Sequence, residues 1–180
     1  MAQFNHLRRI RICLAILIGG LVLSGVTAFP LQSEIHWLVS SLHNASLFTP
    51  SQSIHLLPWL ERVDTALSIT NNRYPFLAYG TDWLAFAHIV IAIAFVGPYI
   101  DPVRNKWLIS FGLIACAGVV PLAIIAGHIR GIPLPWRFID CSFGIFGSIP
   151  LLICTQSVHA LERAATEREH AISREPWRAW

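Results

Sequence analysis

The sequence predicts an all-α membrane protein, a four-transmembrane-helix bundle with one long periplasmic loop that contains two short amphipathic helices. Three observations carry that expectation. Residues 10–29, 83–100, 107–127 and 141–158 are long apolar stretches in which Arg11 is the sole Lys, Arg, Asp or Glu, in a chain of mean hydropathy +0.56. Runs of roughly 18 to 25 apolar residues match the ~30 Å hydrocarbon core only as helices, because a lipid-facing backbone must satisfy its own hydrogen bonds. The 13 Lys and Arg residues then divide unevenly between alternate loops. Nine of them (Arg8, Arg9, Arg11, Arg104, Lys106, Arg163, Arg168, Arg174 and Arg178) fall on one side and four (Arg62, Arg73, Arg130 and Arg137) on the other. By the positive-inside rule both termini are expected in the cytoplasm of a bacterial-type inner membrane. Finally, Trp83, Trp107 and Trp136 stand at span boundaries, where an indole can bury its ring and keep its N–H wet.

Each element follows from local pattern. Residues 1–29 form the N-terminus and first span. Three arginines, a core from Cys13 to Leu23 and the Val26-Thr27-Ala28 triplet also fit a cleavable signal peptide. Continuation of the apolar run to Phe29, and the small pair Gly20 and Ser24, favour a retained helix.

Residues 30–80 make the periplasmic loop. Ile35, Leu38, Val39 and Leu42 recur at helical spacing between Ser33 and Leu47. A second helix is expected to begin near Pro58, a residue suited to a first turn, to bury Trp59, Leu60, Val63 and Leu67, and to end at Asn71-Asn72. About 50 residues bury little core alone, so this pair should cap the bundle or lie on the outer leaflet, with Trp37 and Trp59 in the interface.

Residues 81–158 hold the second to fourth spans. The segment from Gly97 to Pro102, whose prolines end one helix before the next begins, predicts that the second and third spans are antiparallel neighbours. Gly112, Ala115, Cys116 and Gly118 in the third span, and Gly144 and Gly147 in the fourth, are small enough for close helix approach, while Pro121 should kink the third. Residues 159–180 become charged and amphipathic, with Arg163 and Glu167 spaced to pair on a cytoplasmic helix. Cys13, Cys116, Cys141 and Cys154 include no C-x-x-C pair and read as small packing hydrophobes.

Ionisable groups are costly in a bilayer, so their positions are the best functional clue. His88 lies six residues, roughly 9 Å, deeper than Asp82 in the second span. His128 and Arg130 end the third, and Trp136, Arg137 and Asp140 lead into the fourth. All are expected at the periplasmic end. They define a candidate site in which Asp82, His88, His128 and Asp140 could act as acids and bases, while Arg130, Arg137 and Trp136 hold a ligand. Structural roles are open to each of these groups. Asp82 (or Thr81) and Asp140 are natural N-caps, His128 suits a helix C-terminus, Arg130 can snorkel, and His88 can bond a backbone carbonyl.

Three functions compete. The first is binding of a metal ion, haem or small ligand, with His88 and His128 as candidate metal ligands, and with His36 and His43, seven apart, as a second pair near His55. The second is a membrane-embedded enzyme acting on a lipid or isoprenoid-linked substrate, for which no serine elbow, carboxylate pair or histidine box selects a reaction. The third is a small subunit or assembly partner, joining other membrane subunits or forming a homo-oligomer in the bilayer. The net charge of +3 follows from topology and implies no nucleic-acid partner, since no basic patch has interleaved aromatics. Two segments, 79–84 (YGTDWL) and 129–133 (IRGIP), place glycine and charge at helix junctions without indicating a function.

Overall fold

The computed structural model describes residues 2–44 and 50–174, and every regular element among them is helical. In chain order these are α1 (Ala2–Ala28), α2 (Leu31–Asn44), α3 (Pro50–Arg73), a 3₁₀ turn (Pro75–Ala78), α4 (Tyr79–Ala94), α5 (Val96–Ile100), α6 (Lys106–Ile129) and α7 (Leu134–Arg174). Four helical units, Gln3–Ala28, Pro75–Ile100, Lys106–Ile129 and Leu134–Ala171, are long and apolar enough to cross a membrane. Residues 45–47 of the first predicted loop helix, the side chain of His55, and Arg178 with the end of the tail lie outside the described residues.

Proline chemistry sets several boundaries. Pro98 has no N–H to donate to the Ala94 carbonyl, and α4 gives way to α5 at Phe95. Contrary to expectation, the helix continues through Pro98 and stops only at Asp101. The turn that follows is stapled by Asn105, whose Nδ2 donates to the Gly97 carbonyl at 3.2 Å and the Asp101 carbonyl at 2.9 Å. Pro58 likewise sits inside α3, which begins at Pro50 and runs to Arg73, so the second loop helix is longer than its sequence suggested.

Lateral order departs from the predicted pairing. Helix α1 packs on both α4 and α7, and α6 packs on α7, giving the row α4, α1, α7, α6. The second and third spans are therefore joined in sequence but flank the row. Their contact is confined to the turn region, where the Phe95 ring reaches Gly112. The core is concentrated at the end that carries the termini. Ile10, Cys13 and Leu14 of α1 meet Leu151, Cys154, Val158 and Leu161 of α7, with Phe95 and Ile109 closing the cluster. The Cys154 thiol donates to the Ile10 carbonyl at 3.8 Å, a packing role for two of the four cysteines.

Toward the other end, glycine lets backbones approach. A Cβ on Gly25 would stand 2.9 Å from the Ala85 carbonyl oxygen of α4, and one on Gly144 would stand 2.5 Å from the Cys116 carbonyl oxygen of α6. The predicted small pair Gly20 and Ser24 is exposed, and Gly25 makes the α1–α4 contact instead.

Helices α2 and α3 form an antiparallel hairpin. Val39 and Leu60 are buried, with Ile35, Leu38, Leu42, Val63 and Leu67 half-buried, as the helical stripes require. Across its polar face Asn71 donates to Gln32 at 2.7 Å. Trp59 is half-buried within the protein, whereas Trp37 points outward.

Candidate functional site

Two of the candidate residues line cavities: His36 borders one of 470 Å³ on the hairpin with Gln32, Asp64 and Ser68, and Asp82 borders two others. Asp82 enters α4 in the first turn, after the 3₁₀ turn has run directly into the helix, so Ala78 occupies the N-cap position and no side chain caps it. The N-cap role expected of Asp82 or Thr81 is thus replaced by backbone continuity, and the carboxylate, still in the first turn where it complements the helix dipole, makes no capping hydrogen bond. It borders a 300 Å³ cavity at the junction of α1, the hairpin and α4, with Pro30, Gln32, Asn71 and Thr81 among its walls. Asp82 is the one charged residue lining it.

A shallow surface hollow of 270 Å³ adjoins the first through Asp82 and Phe29, and the exposed rings of Tyr79, Trp83 and Phe86 complete it. Helical spacing stacks those three rings along α4. Tyr79 and Trp83 meet edge to face with centroids 6.0 Å apart, and Trp83 and Phe86 do so at 6.1 Å. A carboxylate beside an aromatic wall is chemically suited to an organic cation, which the acid neutralises and the ring faces attract. With one carboxylate and no His or Cys among the lining residues, this arrangement does not fit a transition metal.

The other candidates lie apart from these cavities. His88 is half-buried one and a half turns further along α4, its Cβ 3.2 Å from where a Cβ on Gly25 would stand. Its Nδ1–H donates to the Leu84 carbonyl at 2.8 Å, the bonded histidine weighed in the sequence, with the carbonyl supplied by its own helix. His128 is exposed in the last turn of α6. The helix row sets α1 and α7 between His88 and His128, and the pair does not fit a bis-histidine haem or a shared metal.

Arg130, Gly131, Ile132 and Pro133 form the α6–α7 connection. Gly131, at φ +67°, donates to the His128 carbonyl at 3.1 Å and Ile132 to the Gly127 carbonyl at 2.9 Å, the paired bonds of a Schellman cap. This accounts for the IRGIP segment. Arg137 Nε donates to the Ile132 carbonyl at 2.8 Å, and the alkyl part of the same side chain fills the space beside Gly127. Arg137 therefore holds the connection closed. Trp136 is half-buried and Arg130 exposed. Asp140 lies in the second turn of α7, which starts at Leu134, so the N-cap expected there is also replaced. Among the described residues no ion pair joins Asp82 or Asp140 to Arg130 or Arg137.

Two loop histidines, His36 and His43, are each matched with an acid. His36 Nδ1 lies 3.1 Å from Asp64 Oδ2, and His43 Nε2 lies 2.9 Å from Glu61 Oε1, both across the hairpin. Among the described residues no group of three or more His, Cys, Asp or Glu is placed to hold a metal ion.

Asp82 was expected at a candidate site and Trp83 only at a span boundary, and the aromatic residues beside them were not grouped with either. The signal was available in the i, i+4, i+7 spacing of Tyr79, Trp83 and Phe86. No family model, curated protein or solved structure matches this chain.

Proposed function

We propose that this chain is a polytopic protein of a bacterial-type inner membrane that binds a small organic ammonium ligand at the loop-side end of its bundle. One observation carries the reading. Asp82, which makes no capping hydrogen bond, borders a polar cavity beside the exposed rings of Tyr79, Trp83 and Phe86, so a cation held by its carboxylate would have aromatic neighbours. His36, His43 and Arg137 take part in the fold, and the ligand reading needs none of them. Both termini face the cytoplasm in this reading, and cysteines introduced at Ser41 and Glu167 would label from opposite sides of sealed vesicles.

Choline and its uncharged carbon isostere are the probes. Saturation-transfer NMR on protein in nanodiscs should detect choline but not the isostere, and Asp82→Asn and Trp83→Ala should each weaken choline binding at least tenfold, on the order of 1.4 kcal/mol. Equal transfer to both probes, or choline binding unchanged in Asp82→Asn, would reject the proposal.

A second reading is favoured by glycines that serve no contact within the chain. A Cβ on Gly19, Gly20 or Gly118 would meet nothing within 4 Å, so α1 and α6 each offer a narrow face to a neighbour in the membrane. An assembly partner or homo-oligomer would be retained at low detergent and would form Gly118→Cys cross-links in native membranes. A monomer of full stability without cross-links excludes it.

A further inference from the structure

We propose that the groove between α6 and α7, at the end of the bundle bearing the chain termini, binds an anionic diacyl phospholipid, with an acyl chain along the groove and the phosphate at Lys106 and His159. The groove encloses 580 Å³ and is the most voluminous of the cavities described. Its floor is closed by the core residues Ile109 and Val158, and its walls are Trp107, Phe111 and Ile114. From Lys106 to Ile114 it extends eight residues along α6, about 12 Å into the span. Such a channel matches a hydrocarbon chain in shape and polarity. In a membrane it is filled by lipid, and the headgroup it selects is decided at the rim.

The rim supplies donors. Lys106 Nζ is 2.6 Å from Glu162 Oε1, and His159 Nδ1 is 3.3 Å from Glu162 Oε2. Glu162 thereby holds the ammonium and the imidazole side by side at the groove mouth. Lys106 keeps two N–H donors, and its side chain is 57% exposed. Ser110 and Thr155 hydroxyls also line the groove. Arg104 precedes α6, and Arg163 and Arg168 follow His159 on α7, so with Lys106 the cations up to Arg168 number four against the carboxylates of Asp101, Glu162 and Glu167. Charge complementarity therefore favours a phosphodiester with no compensating ammonium, because basic pockets between membrane helices take anionic headgroups.

Native mass spectrometry of the whole protein, titrated with phosphatidylglycerol or phosphatidylcholine of identical acyl chains, tests the site. Phosphatidylglycerol should bind about fivefold more tightly, and Lys106→Gln should remove that preference. Glu162→Gln frees Lys106 from its partner and should keep or increase the preference. Ile114→Trp, which obstructs the channel, should weaken both lipids. Equal retention of the two lipids would overturn the proposal, as would equal loss in Lys106→Gln and Glu162→Gln, which would mark a purely structural ion pair. Displacement of lipid by free glycerol phosphate would show an anion site that needs no chain, and a dimer that excludes lipid would assign the groove to a second copy. Either result also refutes it.

Discussion

Replacing Gly144 with alanine would drive a methyl group into the backbone of the neighbouring helix. The new Cβ would lie 2.5 Å from the Cys116 carbonyl oxygen and 3.2 Å from Val119 Cβ, whereas ordinary contact begins at 3.4 Å. Relief requires α6 and α7 to part by about 0.9 Å, since the obstacle is a backbone oxygen and cannot rotate away, and overpacking of this kind costs ~1–3 kcal/mol. A loss of ~2 kcal/mol lowers the melting temperature by about 4–8 °C in a chain of this size. Gly118 supplies the control. It lies on the same helix as Cys116, and a Cβ there meets nothing within 4 Å. Gly118→Ala should therefore leave the melt unchanged or raise stability by up to ~1 kcal/mol through helix propensity. Thermal unfolding in detergent, followed by circular dichroism, measures both. A Gly144→Ala variant that melts with the parent, or a Gly118→Ala variant that loses as much, would refute the packing described for α6 and α7.

Three further outcomes are expected. Arg137→Ala removes both the donor to the Ile132 carbonyl and the alkyl cover over Gly127, and should destabilise by ~1.5–3 kcal/mol in chemical unfolding. Gly131→Ala places a side chain at φ +67° and should cost ~1–2 kcal/mol in the same assay, whereas asparagine there should cost less. Glu162 lies four residues beyond the apolar stretch, and the hydrogen bond from Lys106 holds its carboxyl below the ordinary value of 4.5. A depressed carboxylate contributes stability that is complete above 4.5 and fades as pH falls through the folded value. The stability difference between the parent and Glu162→Gln should therefore shrink in acid, and a difference that grows there would contradict the pairing.

The four long helices were legible because run length and charge exclusion are properties of the chain alone. So were the buried stripes of the loop hairpin, whose apolar residues recur at helical spacing between polar ones. The order of helices in the row was not. Lipid is as apolar as leucine, so composition does not separate a face that meets protein from one that meets acyl chains, and nothing in residues 10–29 marked Gly25 over Gly20 as the close contact. Helix starts were misplaced for a related reason. Asp82 and Asp140 have the chemistry of caps, but the 3₁₀ turn before α4 and the early start of α7 satisfied those ends by backbone. Grouping Asp82 with His128, Arg137 and Asp140 assumed that helices at one depth stand side by side, and the row separates them. What could be read was Asp82 at a span boundary beside Trp83. The cavities that give this pair meaning need α1 and the hairpin, which no local pattern brings to α4.

Helix α7 runs without interruption for 41 residues, about 60 Å, twice the thickness of a bilayer's hydrocarbon layer. Sixteen of those residues follow Val158, so a rigid rod of about 24 Å stands beyond the apolar stretch. A rod joined in this way is a lever. Tilting α7 by about 10° within the row would sweep its far end sideways by about 4 Å, a displacement large enough to make or break a hydrogen bond with anything waiting there.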